Sequence, residues 1–329
     1  VMVLLTGILN LGRLAMKAFL KLVEIQTKIA SVTPFIWSIV YTGYYFGSLR
    51  SDLILFFFVS MLAFDMFATA LNNYLDWKRA RKRHGYNYEM HNAIVRYGMS
   101  EKKVILIMAL LFFVAVIFGL LLFLNTDAIV LFLGMACFLI GILYSGGPLP
   151  ISRTPLGEIF SGFFMGYVLP FIAIYISLFN QKPILLAVEN EFISVLINWK
   201  VMIPATVALV PTTLLIAGIM LANNICDIED DMANRRYTLP IYIGKKRALI
   251  IFDMLYILCY LDILLGILLG YLPVLSLAVL VPSPWVFRNL RAFSRIQTKK
   301  DTFKYAVNNL ILVMVPLILS VLLARFFIM

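Results

Sequence analysis

Two short acidic stretches carry the residue types that could do chemistry in this chain. The denser is Asn223-Asn224-Ile225-Cys226-Asp227-Ile228-Glu229-Asp230-Asp231, which closes an apolar run beginning near Val201. On a helix turning about 100° per residue, Asn223, Asp227 and Asp231 stand at i, i+4 and i+8 and line one face. Oxygens converging in that way suit a hard divalent cation. The second stretch, Asn72-Asn73-Tyr74-Leu75-Asp76, ends another apolar run with the same Asn-Asn-x-x-Asp order. A single such cluster reads as a helix cap or an interface residue; two matched clusters describe a site shared between two helix ends.

Each cluster is followed by base. Lys78, Arg79, Arg81, Lys82 and Arg83 follow the first, and Arg235, Arg236, Lys245, Lys246 and Arg247 follow the second. Carboxylates on two helix ends, with carboxamides a turn away and cations in the adjoining loops, are what a magnesium-bridged diphosphate requires. Magnesium takes oxygen ligands, keeps several waters and relies on substrate phosphates to complete its octahedron. The cations would neutralise the remaining charge and stabilise pyrophosphate as a leaving group. Asp65 and Thr69 extend the face of Asn72 and Asp76 inward along the same helix. About eleven residues deeper than Asp76, Asp65 is expected to be a hydrogen-bonded packing residue, because an ionisable group at membrane depth needs a partner.

The elements that must position these clusters are membrane helices. Over 329 residues the chain is 62% hydrophobic and 14% charged, with mean hydropathy +0.95, which excludes a soluble globular domain. The runs are too long and too continuously apolar for barrel strands. Nine spans are expected, at about 31–48, 53–75, 103–124, 128–145, 156–179, 201–224, 248–270, 272–288 and 306–327, so the fold class is all-α and polytopic. With the amino terminus inside, 24 of the 28 basic residues fall on the cytoplasmic side, as do both acidic clusters. The formal charge of +11 is therefore read as cytoplasmic loops facing anionic lipid or an anionic substrate, not as nucleic-acid affinity.

Residues 1–30 read as an amphipathic surface helix, with Arg13, Lys17, Lys21 and Lys28 among Leu11, Leu14, Ala18 and Leu22, and without the cleavage site of a secretory signal. Residues 31–329 read as one transmembrane domain. The loop Tyr144-Ser145-Gly146-Gly147-Pro148-Leu149-Pro150 cannot continue a helix. Thr154, Pro155 and Glu158 resemble a helix start. Gly162 and Gly166 have the small-xxx-small spacing of closely packed membrane helices. The connection at 180–200, with Glu189 and Glu191, carries no visible chemistry, and the loop histidines His84 and His91 receive no role. Cys137, Cys226 and Cys259 lack metal-ligand spacing.

The chain after its first thirty residues resembles the UbiA superfamily of intramembrane prenyltransferases. The resemblance rests on an Asn-x-x-x-Asp motif at Asn72 and Asp76 and an Asp-x-x-x-Asp motif at Asp227 and Asp231. Within that superfamily, Tyr144 to Pro150, Leu221 to Asp231 and Arg235 to Leu239 look most like the 1,4-dihydroxy-2-naphthoate prenyltransferases of menaquinone synthesis. The first motif departs from the family pattern at Asn73 and Ala80, where acids are common, although Glu89 lies in the same loop. The resemblance implies that Asn72, Asp76, Asp227 and Asp231 hold Mg2+ on the diphosphate and that Asn223 supports them. It makes Lys28, Lys78, Arg153 and Arg236 candidates for contact with an anionic group, and Tyr144 a candidate catalytic residue beside the acceptor or a transient cation.

The reaction implied is transfer of a polyprenyl group from polyprenyl diphosphate to 1,4-dihydroxy-2-naphthoate, in a lipid-lined cleft of a bacterial cytoplasmic membrane. Members of the superfamily acting on 4-hydroxybenzoate, homogentisate or haem remain open on these motifs. So does a carrier using the intramembrane acids Asp65, Asp253 and Asp262. The Asp-Gly-x-x-Ala-Arg opening of the CDP-alcohol phosphotransferases is absent.

Overall fold

The computed structural model describes residues 2–79, 92–189 and 191–328. Ala80, Arg81, Lys82, Arg83, His84, Glu89 and His91 lie outside the described residues. The helices are α1 (Met2–Leu22), α2 (Ile29–Tyr45), α3 (Ser51–Arg79), α4 (Ala93–Arg96), α5 (Glu101–Leu124), α6 (Ala128–Ser145), α7 (Gly157–Phe163), α8 (Leu169–Ser177), α9 (Trp199–Cys226), α10 (Ile228–Ala233), α11 (Leu239–Ile243), α12 (Lys245–Leu268), α13 (Ser283–Arg295) and α14 (Lys304–Ile328).

The protein is a multi-pass membrane protein. Among the described residues, seven helices are long and apolar enough to cross a bilayer, one of them running through α7 and α8 as Gly157–Ser177. Two expected spans fall short of that measure. α2 has 17 residues, and 272–288 divides into a 3-10 segment, Val274–Leu280, and the start of α13. The all-α expectation needs a second correction. The connection after α8 forms an antiparallel hairpin of β1 (Ile184–Glu189) and β2 (Phe192–Ile197). The sequence Phe-Ile-Ser-Val-Leu-Ile is rich in β-branched and aromatic residues, and a turn precedes it.

α9 is the central post, with buried residues along its length. The Trp37 indole donates to the Ala208 carbonyl at 2.7 Å, and the Tyr41 hydroxyl to that of Pro204 at 3.1 Å, fastening α2 to α9. The expected close approach of Gly162 and Gly166 is present. A Cβ on Gly166 would lie 2.5 Å from Thr213 Cα, and one on Gly162 would lie 2.8 Å from Ala217 Cβ. The helix widens to a π turn at Phe164–Val168, where the Thr212 hydroxyl donates to the Gly166 carbonyl at 2.7 Å.

α3 is held by two apolar clusters. Phe64 stacks on Phe138 of α6 with ring centroids 4.0 Å apart, over Gly141, and Phe67 meets Phe112 of α5. Nearer its C-terminal end, Ala70 joins Leu22, Ala93, Ile94, Val104 and Met108, which anchors the end of α1 against α3 and α5. Asn73 completes that anchor. Its buried amide donates to the Leu22 carbonyl at 2.9 Å, and its own carbonyl accepts from the Asn92 amide at 2.9 Å. A carboxylate could not donate there, which gives a physical reason for the amide at this position.

Candidate active site

The helix carrying the second acidic cluster does not run straight through it. α9 ends at Cys226, Asp227 sits at φ −100° and ψ 9°, and α10 starts at Ile228. The i, i+4, i+8 ladder nevertheless survives. The Asp227 N–H donates to the Asn223 carbonyl at 3.1 Å, and the Asp231 N–H to the Asp227 carbonyl at 2.7 Å. The break has an electrostatic reason. Acids at the negative end of one long helix dipole are unfavourable, whereas in α10 Glu229, Asp230 and Asp231 occupy a first turn, where they are favourable.

α10 ends in a Schellman motif that aims the next side chain. Arg235 adopts a left-handed conformation at φ 55°. Its N–H donates to Met232 at 3.2 Å, and the Arg236 N–H returns to the Asp231 carbonyl at 2.8 Å. Glycine usually fills the left-handed position, so Arg235 holds it at a steric cost. The chain thereby turns back, and Arg236 reaches both clusters. Its Nη2 donates to Asp76 Oδ1 at 2.8 Å while Nη1 stands 3.9 Å from Asp231 Oδ1. Through one guanidinium, residues 155 apart in sequence become neighbours.

Two further carboxylate oxygens, Asp231 Oδ2 and Asp227 Oδ2, also have partners. The buried Thr238 hydroxyl donates to Asp231 Oδ2 at 3.2 Å, and Lys299, from the loop before α14, forms an ion pair with Asp227. Burial pushes the Asp231 carboxyl up to about 6, with Arg236 opposing and Asp227 adding to the rise. Arg153 is held by its carbonyl, which accepts from the Tyr237 N–H at 3.0 Å. Burial, then neighbouring Arg236 and Arg79, lower its guanidinium from the ordinary value, against the pull of Asp76 and Asp231. A cavity of about 400 Å³ opens beside it, lined by Arg79, Arg153, Arg235, Tyr237 and residues 147–150 of the expected loop. Arg79 shapes this loop by donating to the carbonyls of Ser145 and Gly147 at 3.2 and 3.4 Å.

The other predicted positions divide into near and far. Asn223 is half-buried and donates to Asn224 Oδ1 at 3.4 Å; Asn224 in turn donates to the buried Glu158 at 2.8 Å. Glu158 thus ties α7 to the acidic cluster as well as standing in a first helical turn. Asn72 is exposed one turn before Asp76. The Tyr144 hydroxyl donates to Met220 Sδ at 3.2 Å and lies within electrostatic reach of Glu158 and Arg236.

Lys28 and Lys78, expected among the anion contacts, are engaged elsewhere. Buried Lys28 donates to Asp65 Oδ1 and Thr69 Oγ1 at 2.6 Å each, because a lone carboxylate in a span needs a neutralising partner. Lys78 pairs with Glu101 at 2.7 Å and lies over the Tyr74 and Trp77 rings. Sequence reasoning missed Lys299, Thr238 and the Asn224–Glu158 link. Lys299 is one of six basic residues from Arg288 to Lys304, which enter the sequence reading only through the count of cytoplasmic bases.

The donor set can be tested against a metal. Asn72, Asp76, Asn223, Asp227 and Asp231 offer only oxygen, which fits a hard cation. Among the described residues, however, no group of three or more His, Cys, Asp or Glu side chains is gathered closely enough to hold one unaided. The expected metal set is therefore not a closed cage: Arg236 stands between its halves. An open set of this kind fits magnesium, which shares its shell with waters and substrate phosphates.

The sequence profile of the UbiA prenyltransferase family matches residues 31–315. A protein of Bacillus subtilis (strain 168) named 1,4-dihydroxy-2-naphthoate octaprenyltransferase is 29% identical over 266 residues, covering 80% of this chain and 74% of that protein. A UbiA homolog from Aeropyrum pernix K1, solved in its apo form, superposes with a TM-score of 0.66 at 16% identity, covering 90% of this chain and 98% of the homolog. A UbiA homolog from Archaeoglobus fulgidus bound to DMAPP and Mg2+ gives a TM-score of 0.56 at 13% identity, with 92% and 98% covered. The solved structures share the fold of this chain.

Proposed function

Because the chain belongs to the UbiA prenyltransferase family, we propose that it transfers a polyprenyl group from an allylic polyprenyl diphosphate to 1,4-dihydroxy-2-naphthoate. The products are diphosphate, carbon dioxide and a prenylated naphthoquinol. The observation that carries the reading is the Arg236 bridge, which joins Asp76 of the first motif to Asp231 of the second. Mg2+ as cofactor is supported by the oxygen-only donor set and by the Archaeoglobus fulgidus homolog bound to DMAPP and Mg2+. The naphthoate acceptor is supported by the Bacillus subtilis relative and by the Tyr144–Pro150 and Leu221–Asp231 stretches.

In this reading Asn72, Asp76, Asp227 and Asp231 hold magnesium, with Asn223 supporting the ladder. Magnesium, when bound, supplies charge neutralisation to the departing diphosphate. Arg236 and Arg153 bind the phosphate oxygens left uncovered, and their fixed cations stabilise the leaving group as its C–O bond lengthens. Tyr144 lies at the end of α6 facing the same region, where its ring can stabilise positive charge on the allylic carbon. The electron-rich ring carbon that bears the carboxylate attacks that carbon, and loss of carbon dioxide restores the aromatic ring. The reading takes nine crossings, counting α2 and Val274–Arg295, and sets the site at the cytoplasmic face of a bacterial membrane, which the bias of basic residues supports. α1 then lies along that face, and residues 31–329 act as one domain.

The test is a product assay in detergent with a labelled allylic diphosphate, offering 1,4-dihydroxy-2-naphthoate, 4-hydroxybenzoate or homogentisate, with magnesium or with EDTA. A magnesium-dependent, decarboxylated prenyl-naphthoquinone is the expected product. A product with another acceptor alone overturns the acceptor, and activity in excess EDTA overturns the metal.

A further inference from the structure

The acidic site receives a side chain from a third, unexpected direction. Lys299 lies in the loop between α13 and α14 and pairs with Asp227, the residue at the break between α9 and α10. Its loop is tightly built. The Gln297 amide donates to the Phe293 carbonyl at 2.6 Å. Buried Thr302 accepts from the Thr298 N–H at 2.8 Å and donates to the Thr298 carbonyl at 3.0 Å. The Asp301 N–H closes the turn onto Thr298 Oγ1 at 3.2 Å. The backbone on both sides of Lys299 is thus fixed, while its side chain is 53% exposed and free to pivot.

The partners are unequal. The Asp227 side chain is only 16% exposed, beside Asp231, which is 7% exposed. Among the described residues, Lys299 is the member of the Arg288–Lys304 basic run that forms an ion pair. An ammonium there occupies the charge position that a divalent cation would take on Asp227. When a cation replaces it, the ammonium is left within a pivot of whatever anion the cation brings.

We propose that Lys299 is an exchangeable anion-binding residue. It neutralises Asp227 in the free protein and transfers its ammonium to a diphosphate oxygen when the metal and diphosphate arrive together. This rests on the reading of the site as a metal-diphosphate site. The role has a signature that a structural ion pair lacks: two binding constants move in opposite directions. Without Lys299, a cation alone meets an uncompensated Asp227 and binds more tightly. The diphosphate complex loses one charge-assisted hydrogen bond and binds more weakly.

The experiment measures Mn2+ alone, and inorganic pyrophosphate with saturating Mg2+, binding to full-length protein in detergent. Wild type is compared with Lys299→Met and Lys299→Arg, each first shown to melt at the wild-type temperature. Lys299→Met should bind Mn2+ several-fold more tightly and pyrophosphate about tenfold more weakly, and Lys299→Arg should restore pyrophosphate binding. Wild type that binds both ions while Lys299→Met binds them unchanged overturns the role of Lys299 alone. So does a Lys299→Met variant in which both affinities fall together. Wild type that binds neither ion overturns the reading of the site, and the role of Lys299 with it.

Discussion

α3 carries two acid–base pairs eleven residues apart, and they are built in opposite ways. At Asp65 the pair is closed. Lys28 donates to Oδ1, to the Asp65 carbonyl and to Thr69, Ser31 donates to Oδ2 at 2.5 Å, and the lysine is buried. At Asp76 the pair is open. Arg236 and Asp76 are each about one-third exposed, and the guanidinium is shared with a second carboxylate at longer range. The closed pair has no capacity left for a ligand and fastens the entry of α2 to α3. The open one is assembled from α3, α10 and the turn after it, so each of its members can change partner. Matched polarity is structure; polarity held apart by the backbone and only partly compensated is a site.

The largest effect that would sharpen this contrast is on turnover. Asp227→Asn or Asp76→Asn should lower prenyl transfer by about 10²- to 10³-fold, the size of loss when one electrostatic element of a reacting site is removed. Folding should stay intact, judged by size-exclusion profile and melting temperature. Asn variants with wild-type turnover would erase the distinction between the two ends of α3.

At the closed end the loss should fall on stability. Lys28→Met or Asp65→Leu leaves an unpaired buried charge and should cost about 3–5 kcal/mol, whereas the double variant should recover most of it. Melting of the three variants in detergent checks this. If either single variant melts like wild type yet loses diphosphate affinity, Lys28 belongs to the site after all.

Asn73→Asp probes the boundary between the two regions. It removes the donor to the Leu22 carbonyl and sets a carboxylate beside Glu24, whose Oε1 lies 3.5 Å from the present amide. The expected cost is about 1–3 kcal/mol, read as faster proteolysis after α1. Unchanged proteolysis would mean that Leu22 alone holds the anchor.

Legibility in the sequence followed the same divide. The membrane helices were readable because apolar runs and charged loops report directly on the bilayer. The two motifs were readable because their spacing is local. Which base meets which acid was not, since Lys28, Lys78, Arg236 and Lys299 are alike in sequence and are sorted only by packing. The rule that an acid in a span needs a partner applied to Asp65 but did not name Lys28, the last base before α2, which read instead as an anion contact. The hairpin was hidden because its residues read equally as part of an apolar connection, and the break at Asp227 because a ladder at i, i+4 and i+8 looks the same straight or kinked.

The smallest predicted effect concerns protons and again separates the regions. Burial raises the Asp231 carboxyl to about 6 in the folded protein, above its value in the unfolded chain. The folded state therefore binds this proton more tightly, and the stability that the protonated form contributes is lost as pH rises from about 4 to about 6. Metal binding runs the opposite way, because a ligand must give up its proton first. Mn2+ affinity should be level near pH 7 and should fall as pH drops below about 6, approaching tenfold per unit. Asp231→Asn should bind more weakly throughout and flatten that slope, while Asp65→Asn should leave the slope unchanged. An identical slope in Asp231→Asn would move the titrating group elsewhere and with it the claim that this carboxylate faces the metal.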